Sequence, residues 1–415
     1  MRLTAEESHL LDGGQGEVLA QLMREQLTVG EFFGAERFVP VTNAHFTGDP
    51  EVLGTEGVAY LERLAATGLR VTVPTTRNSQ AVDFEHAVEL AQHPDLLTAE
   101  RRVRQMLATL GVATLNTCIG YQSVYQPHLG EHVAWGDTGT VAYANSVLGA
   151  RTNYESGTAG IAAGLTGRTP EYGFHLDAVR RANVRVRIRA ALDDVADWGA
   201  VGAIVGERCR GYWNVPVFEL SHGLPHQDEL KHLGASLASF GSSAMYHVVG
   251  VTPEAPDLAT AVGGRDLVDD FEVTDQDIEA VFARDLAPRD VDVDVVVFTG
   301  PQLSFFELKR IAEALDGRTV SDGVRLLLTT NSMIRRALED QGLLQVISAA
   351  GGTVIEGTCW YLMDPAAQRE QFGWTRLVTN SAKLVNIIQA HGYAPVLRRT
   401  EACLQAALSG KVPAP

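Results

Sequence analysis

Residues 117–175 gather a cysteine, Cys118, with histidines, carboxylates, amides, two arginines and many glycines. Buried polar groups need partners and glycines cost backbone entropy, so such a stretch makes a poor plain core and a good pocket. Within it His128-Leu129-Gly130-Glu131-His132 matches the H-x-x-E-H pattern of one zinc peptidase class. That chemistry needs the two histidines one helical turn apart, and Pro127 and Gly130 argue against a helix there. A run of small apolar residues, 141–148, leads into Gly149-Ala150-Arg151-Thr152-Asn153. The planar fork of Arg151 suits a carboxylate or phosphate, and the alternative is that it ties down its own loop by bonding carbonyls.

The elements around this stretch alternate between strand and helix patterns, which predicts an α/β protein. Two short helices are expected in residues 4–26, interrupted by Gly13, Gly14 and Gly16. Strands are expected at 37–42 and 69–74, each followed by a polar loop, the second being Thr75-Thr76-Arg77-Asn78-Ser79. A helix at 97–110 and a strand at 112–118 deliver Cys118 to the pocket. Residues 253–290, rich in Asp, Glu, Pro and Gly, read as an acidic connection between N-terminal lobes (1–252) and a C-terminal lobe (291–415). That last lobe is very regular, and its strand ends present Thr299-Gly300, Thr329-Thr330-Asn331-Ser332, Cys359 and Thr379-Asn380-Ser381. In a parallel sheet such ends line one edge, where ligands collect. Lys383 and the free N–H groups of the following helix could bind an anion there, or Asn380 and Ser381 could merely cap that helix.

The 415 residues are 45% hydrophobic and 20% charged, enough to bury a core of two or three lobes. A formal charge of -17 opposes nonspecific binding to nucleic acid or anionic membrane. The chain opens without a signal peptide pattern and holds no apolar run long enough for a bilayer, so a cytoplasmic protein is expected. Cys118, Cys209, Cys359 and Cys403 form no CxxC pair, and the ordinary fate of each is a small buried hydrophobe. Nucleotide-binding glycine signatures and a GxSxG elbow are absent.

Six separated blocks resemble the aconitase X family in the right order: VPTTRN at 73–78, GEHVAW at 130–135, YANSVLGARTN at 143–153, TGRTPEYGFH at 166–175, HVVGVTPEA at 247–255 and TNSAK at 379–383. The resemblance spans almost the whole chain and implies a multi-lobed aconitase-like α/β fold with parallel and mixed sheets and a site between lobes. It implies a hydro-lyase, a dehydratase of small hydroxy acids, in which iron held by cysteines acts as a Lewis acid on the departing hydroxyl. By position Cys118 and Cys359 match two of the family's ligands. The family's Gly-Cys-Pro-His is Gly300-Pro301-Gln302-Leu303 here, so a three-cysteine cluster cannot be built as usual. The expectation is then a single iron ion or a degenerate iron–sulfur site on Cys118 and Cys359, with Glu131 or His132 as the further ligand, or no metal at all. The family's Asn-Arg-Glu-Gly-Gly is Asn153-Tyr154-Glu155-Ser156-Gly157, which suggests a different, less anionic substrate.

The candidate catalytic residues are therefore Cys118, Cys359, Glu131 and His132. The candidate substrate contacts are Thr75, Thr76, Asn78, Asn145, Arg151, Thr152, Asn153, Asn380, Ser381 and Lys383. The resemblance also implies a small swivelling domain that contributes a serine base, here expected as a separate subunit. The alternative activity is a metal-independent isomerisation or cyclisation on the same fold.

Overall fold

A computed structural model describes residues 1–284 and 291–412. Among these residues the strands form four sheets, two in a first lobe and one in each of two further lobes. The first lobe holds an antiparallel pair, Phe38–Pro40 with Arg168–Pro170, and a parallel sheet in which Ala44–Phe46 lies between Thr75–Arg77 and Ala134–Trp135. These strands are only two or three residues long. The strand expected at 69–74 does not form. Val71 and Thr72 donate instead to Leu110 and Gly164, the carbonyls of helix ends, and the ladder begins at Thr75. Residues 112–118 keep one bridge, Ala113 with Thr76, because Asn116 turns into the left-handed region (φ 51) and breaks the extended chain.

In the second lobe Val184–Ile188 is flanked by Pro216–Leu220 and Asp269–Val273, with His247–Val248 at the edge, all parallel. The stretch read as a connection thus supplies an edge strand, and the helices Leu258–Val262 and Asp275–Phe282 besides. Its residues 285–290 lie outside the described ones. Behind this sheet the helices Val195–Cys209 and Gln227–Gly241 approach closely. A Cβ on Gly241 would lie 2.6 Å from the Gly206 carbonyl oxygen and 2.7 Å from its Cα, so neither position has room for a side chain.

The third lobe is a five-stranded parallel sheet in the order Gly352–Glu356, Arg325–Thr330, Val295–Phe298, Arg376–Thr379, Ala394–Leu397. Helices cover both faces, so the central strand reads as an unbroken apolar run, VVVF, buried at every position. The first strand sits in the middle and the order reverses there. This is the switch point of a doubly wound sheet, where the loops leaving neighbouring strands diverge and open a crevice.

A buried ionic group joins the second and third lobes. The Lys231 ammonium donates to Glu307 and to the Gln302 carbonyl (3.1 Å) and lies 3.4 Å from Asp228. His232 Nε2 meets Glu307 Oε1 at 3.1 Å, and Ser304 donates to Asp228 at 2.8 Å.

Candidate active site

The crevice at the third-lobe switch point faces the first lobe, and two thiols converge in it. Cys118 comes from the loop after the helix Pro94–Leu110, and Cys359 from the end of the segment that follows Gly352–Glu356. Cys118 is buried, and the N–H of Gln302 donates to its Sγ at 3.3 Å. Burial pushes its thiol up to about 12, with the nearby Asp137 and Cys359 adding to the effect. Burial also raises the Cys359 thiol, partly offset by Lys383.

Lys383, two residues beyond the cap Ser381 of the helix Ala382–Ile388, carries its ammonium into the same space and donates to Thr138 Oγ1 at 2.9 Å. Burial disfavours this charge, yet Asp137 and the two cysteines outweigh it and the pKa is raised. Burial likewise disfavours the Asp137 carboxylate, and Lys383 together with Thr140 outweighs it, leaving the pKa lowered. Asp137 caps the helix Thr138–Ser146 through Thr140 N (3.2 Å) and accepts from Asn78 Nδ2 (3.2 Å). His45 lies behind it, its Nδ1 on Thr76 Oγ1 at 2.8 Å and its Nε2 without a protein partner. Burial drives His45 down to about 4, against the pull of Asp137, so it is neutral at pH 7. Asp137, Thr138, Cys359 and Lys383 are each partly exposed, so the charged floor of the crevice is reachable from outside.

Of the residues singled out in the sequence, the structure brings Cys118, Cys359 and Lys383 together, with Asn78 and Thr76 one contact behind. It does not bring the others. Glu131 accepts from Thr42, Tyr125 and the His128 N–H (2.9 Å), and these bonds pull its pKa below the usual value against the effect of burial. His132 Nδ1 meets His175 Nδ1 at 2.9 Å, and burial together with that neighbour lowers it to about 4. Both residues stabilise a turn in which Gly130 has φ +82, so no peptidase helix forms. Arg151 donates to the His175 carbonyl (2.8 Å) and to Asp177, which ties its loop down and leaves no fork for a ligand. Asn145 spends its amide on Thr152 and Ala244 carbonyls, Thr152 Oγ1 accepts from Trp135 N, and Asn153 bonds Tyr172, Phe174 and Tyr212. Thr75 donates to Val73, Asn380 to Thr400, and Ser381 caps its helix at Leu384 N (3.1 Å) while donating to the Gly300 carbonyl. Asp137 and His45 are the members sequence reasoning missed. Asp-Thr-Gly-Thr at 137–140 reads only as a helix start, a role Asp137 does fill.

The cysteine set does not complete an iron site of the expected kind. Where a third thiol would be needed, the backbone N–H of Gln302 occupies Cys118, and the Gln302 carboxamide donates to the Asn116 and Thr358 carbonyls at 3.3 and 3.0 Å. With Glu131 and His132 engaged elsewhere, no group of three His, Cys, Asp or Glu side chains with metal-holding geometry exists among the described residues.

Three α/β lobes surround an ammonium flanked by two thiols, and comparison places that architecture. The sequence matches the aconitase X first domain over residues 1–178, the second over 182–283 and the third over 293–409. It is 36% identical over 383 residues to the phosphomevalonate dehydratase large subunit of Methanothermobacter thermautotrophicus, covering 92% of either chain. It is 32% identical over 423 residues to cis-3-hydroxy-L-proline dehydratase of Pseudomonas aeruginosa, covering 100% of this chain and 71% of that one. A crystal structure of Thermococcus kodakaraensis aconitase X in its holo form superposes with a TM-score of 0.88 at 29% identity, covering 98% of this chain and 100% of that one. The chain belongs to the aconitase X family.

Proposed function

We infer that this chain is a hydro-lyase that dehydrates a small hydroxy acid, acting as the large subunit beside a smaller partner. The observation that carries the reading is the meeting of Cys118, Cys359, Lys383 and Asp137 at a sheet switch point, in a chain so similar to two kinds of dehydratase. Dehydration of a hydroxy acid takes a proton from the carbon beside the carboxylate and sends the hydroxyl out with another proton. The Lys383 ammonium, cationic at neutral pH, can hold the carboxylate or stabilise the oxygen that departs. Asp137 keeps that ammonium charged and placed, and Thr138 fixes its direction.

A small subunit fits the names of the relatives called large subunits, and it fits the extra length of the hydroxyproline enzyme. The base that takes the carbon-bound proton is assigned to that partner. The incomplete thiol set favours a second reading, a reaction on this fold that uses no iron–sulfur cluster, such as isomerisation or cyclisation.

The test is turnover of mevalonate 5-phosphate and cis-3-hydroxyproline by the chain, with and without the product of an adjacent small reading frame. Formation of an unsaturated acid is expected, and Lys383→Met should lower it about 10²–10³-fold, the usual effect of deleting one charge-stabilising donor. Conversion of a hydroxy acid without loss of water would reject the dehydratase reading.

A further inference from the structure

Gln302 follows the central strand Val295–Phe298 of the third lobe, is 0% exposed, and spends every donor it has on the loops that carry the two crevice thiols. Its backbone N–H donates to Cys118 Sγ at 3.3 Å. The two N–H bonds of its carboxamide go to the carbonyls of Asn116, two residues before Cys118, and of Thr358, one residue before Cys359, at 3.3 and 3.0 Å. Its own carbonyl accepts from the Lys231 ammonium at 3.1 Å. One residue is thus bonded to all three lobes: the first through Asn116 and Cys118, the second through Lys231, and its own through Thr358.

The two acceptors fix the direction of the carboxamide, because a flip would set its oxygen against both carbonyls. That oxygen finds no donor, so the side chain is held by its donated bonds alone. Asn116 gains most from them. Its backbone lies in the left-handed region (φ 51), a conformation that a residue with a side chain keeps only where its surroundings hold it. Gln80 accepts from the Asn116 side chain at 3.0 Å, and Gln302 holds its carbonyl.

We propose that Gln302 is a positioning residue for the crevice, clasping the Cys118 loop to the Cys359 loop so that the two thiols keep one arrangement beside Lys383. The clasp holds whichever reaction the crevice performs. A glutamine that only filled space would be replaceable by methionine, whose length and volume are similar. A clasp would not survive that change, since methionine donates nothing to either carbonyl.

The experiment alkylates the full, reduced chain with iodoacetamide at pH 8 and follows Cys118 and Cys403 in each sample by peptide mass spectrometry. Cys403 is fully buried in the helix Thr400–Ser409 and reports opening of the fold as a whole. Gln302→Met should speed Cys118 at least about tenfold relative to Cys403, the factor that two neutral hydrogen bonds contribute to a local opening equilibrium. Gln302→Asn keeps the carboxamide on a stem too short to reach both carbonyls; it should do the same, and it decides if the methionine variant does not fold. The proposal is overturned if the Cys118 rate is unchanged, as a space-filling role requires, or if Cys118 and Cys403 quicken together.

Discussion

Replacing Lys231 with methionine tests how the second and third lobes are held. The Lys231 side chain is 0% exposed and Glu307 only 6%, so neither charge is relieved by water. Removing one member of a buried ion pair typically costs about 3–5 kcal/mol, because the other charge stays buried and uncompensated. Glu307 keeps the Ser304 N–H at 2.8 Å and His232 at 3.1 Å, which places the expected loss near the lower end, about 3 kcal/mol. The measurement is urea unfolding at pH 7, followed by tryptophan fluorescence. The pH dependence carries a second check. Burial alone would raise Glu307, but Lys231 and His232 win and its folded pKa lies below the ordinary value. Its contribution is therefore present above the unfolded glutamate pKa and is lost as pH falls through the folded one. In the Lys231→Met protein the folded carboxyl titrates higher, nearer its unfolded value, so the acid limb should be shallower than in the parent. A loss under about 1 kcal/mol, with an unchanged acid limb, would refute the reasoning, since that is the range of a solvent-exposed pair.

Arg151→Met should change kcat/KM by less than about threefold while lowering the thermal midpoint, because its guanidinium is spent on the His175 carbonyl and Asp177. Gly241→Ala should destabilise by about 1–3 kcal/mol in thermal unfolding, since its Cβ meets Gly206 backbone at 2.6 Å. Anaerobic reconstitution with iron and sulfide should leave the chain without the visible absorption of a cluster, as two thiols fall short of the set a cluster needs. A brown, sulfide-bearing product would refute that expectation.

The third lobe was legible because strands buried on both faces leave long apolar runs, and the residues after each run mark the ligand edge of the sheet. Cys359 and Lys383 were found that way. The first lobe was not, because strands of two or three residues show no periodicity, and the 69–74 run spends its N–H groups on helix carbonyls. Arg151 looked like an anion clamp by chemical type, yet a loop with free carbonyls and Asp177 claimed it first. Asp137 escaped notice because a capping aspartate needs no further explanation. Its importance depends on Lys383, and that proximity is set by the packing of two lobes, not by local pattern. The acidic run at 253–290 misled through composition: its strand Asp269–Val273 is half polar because it lies at a sheet edge.

The centre draws Cys118 and Asp137 from one lobe and Cys359 and Lys383 from another, and Thr138 and Lys383 stand 245 positions apart. The first lobe alone therefore holds half of the group, and the other half arrives only with the last lobe, near the end of synthesis.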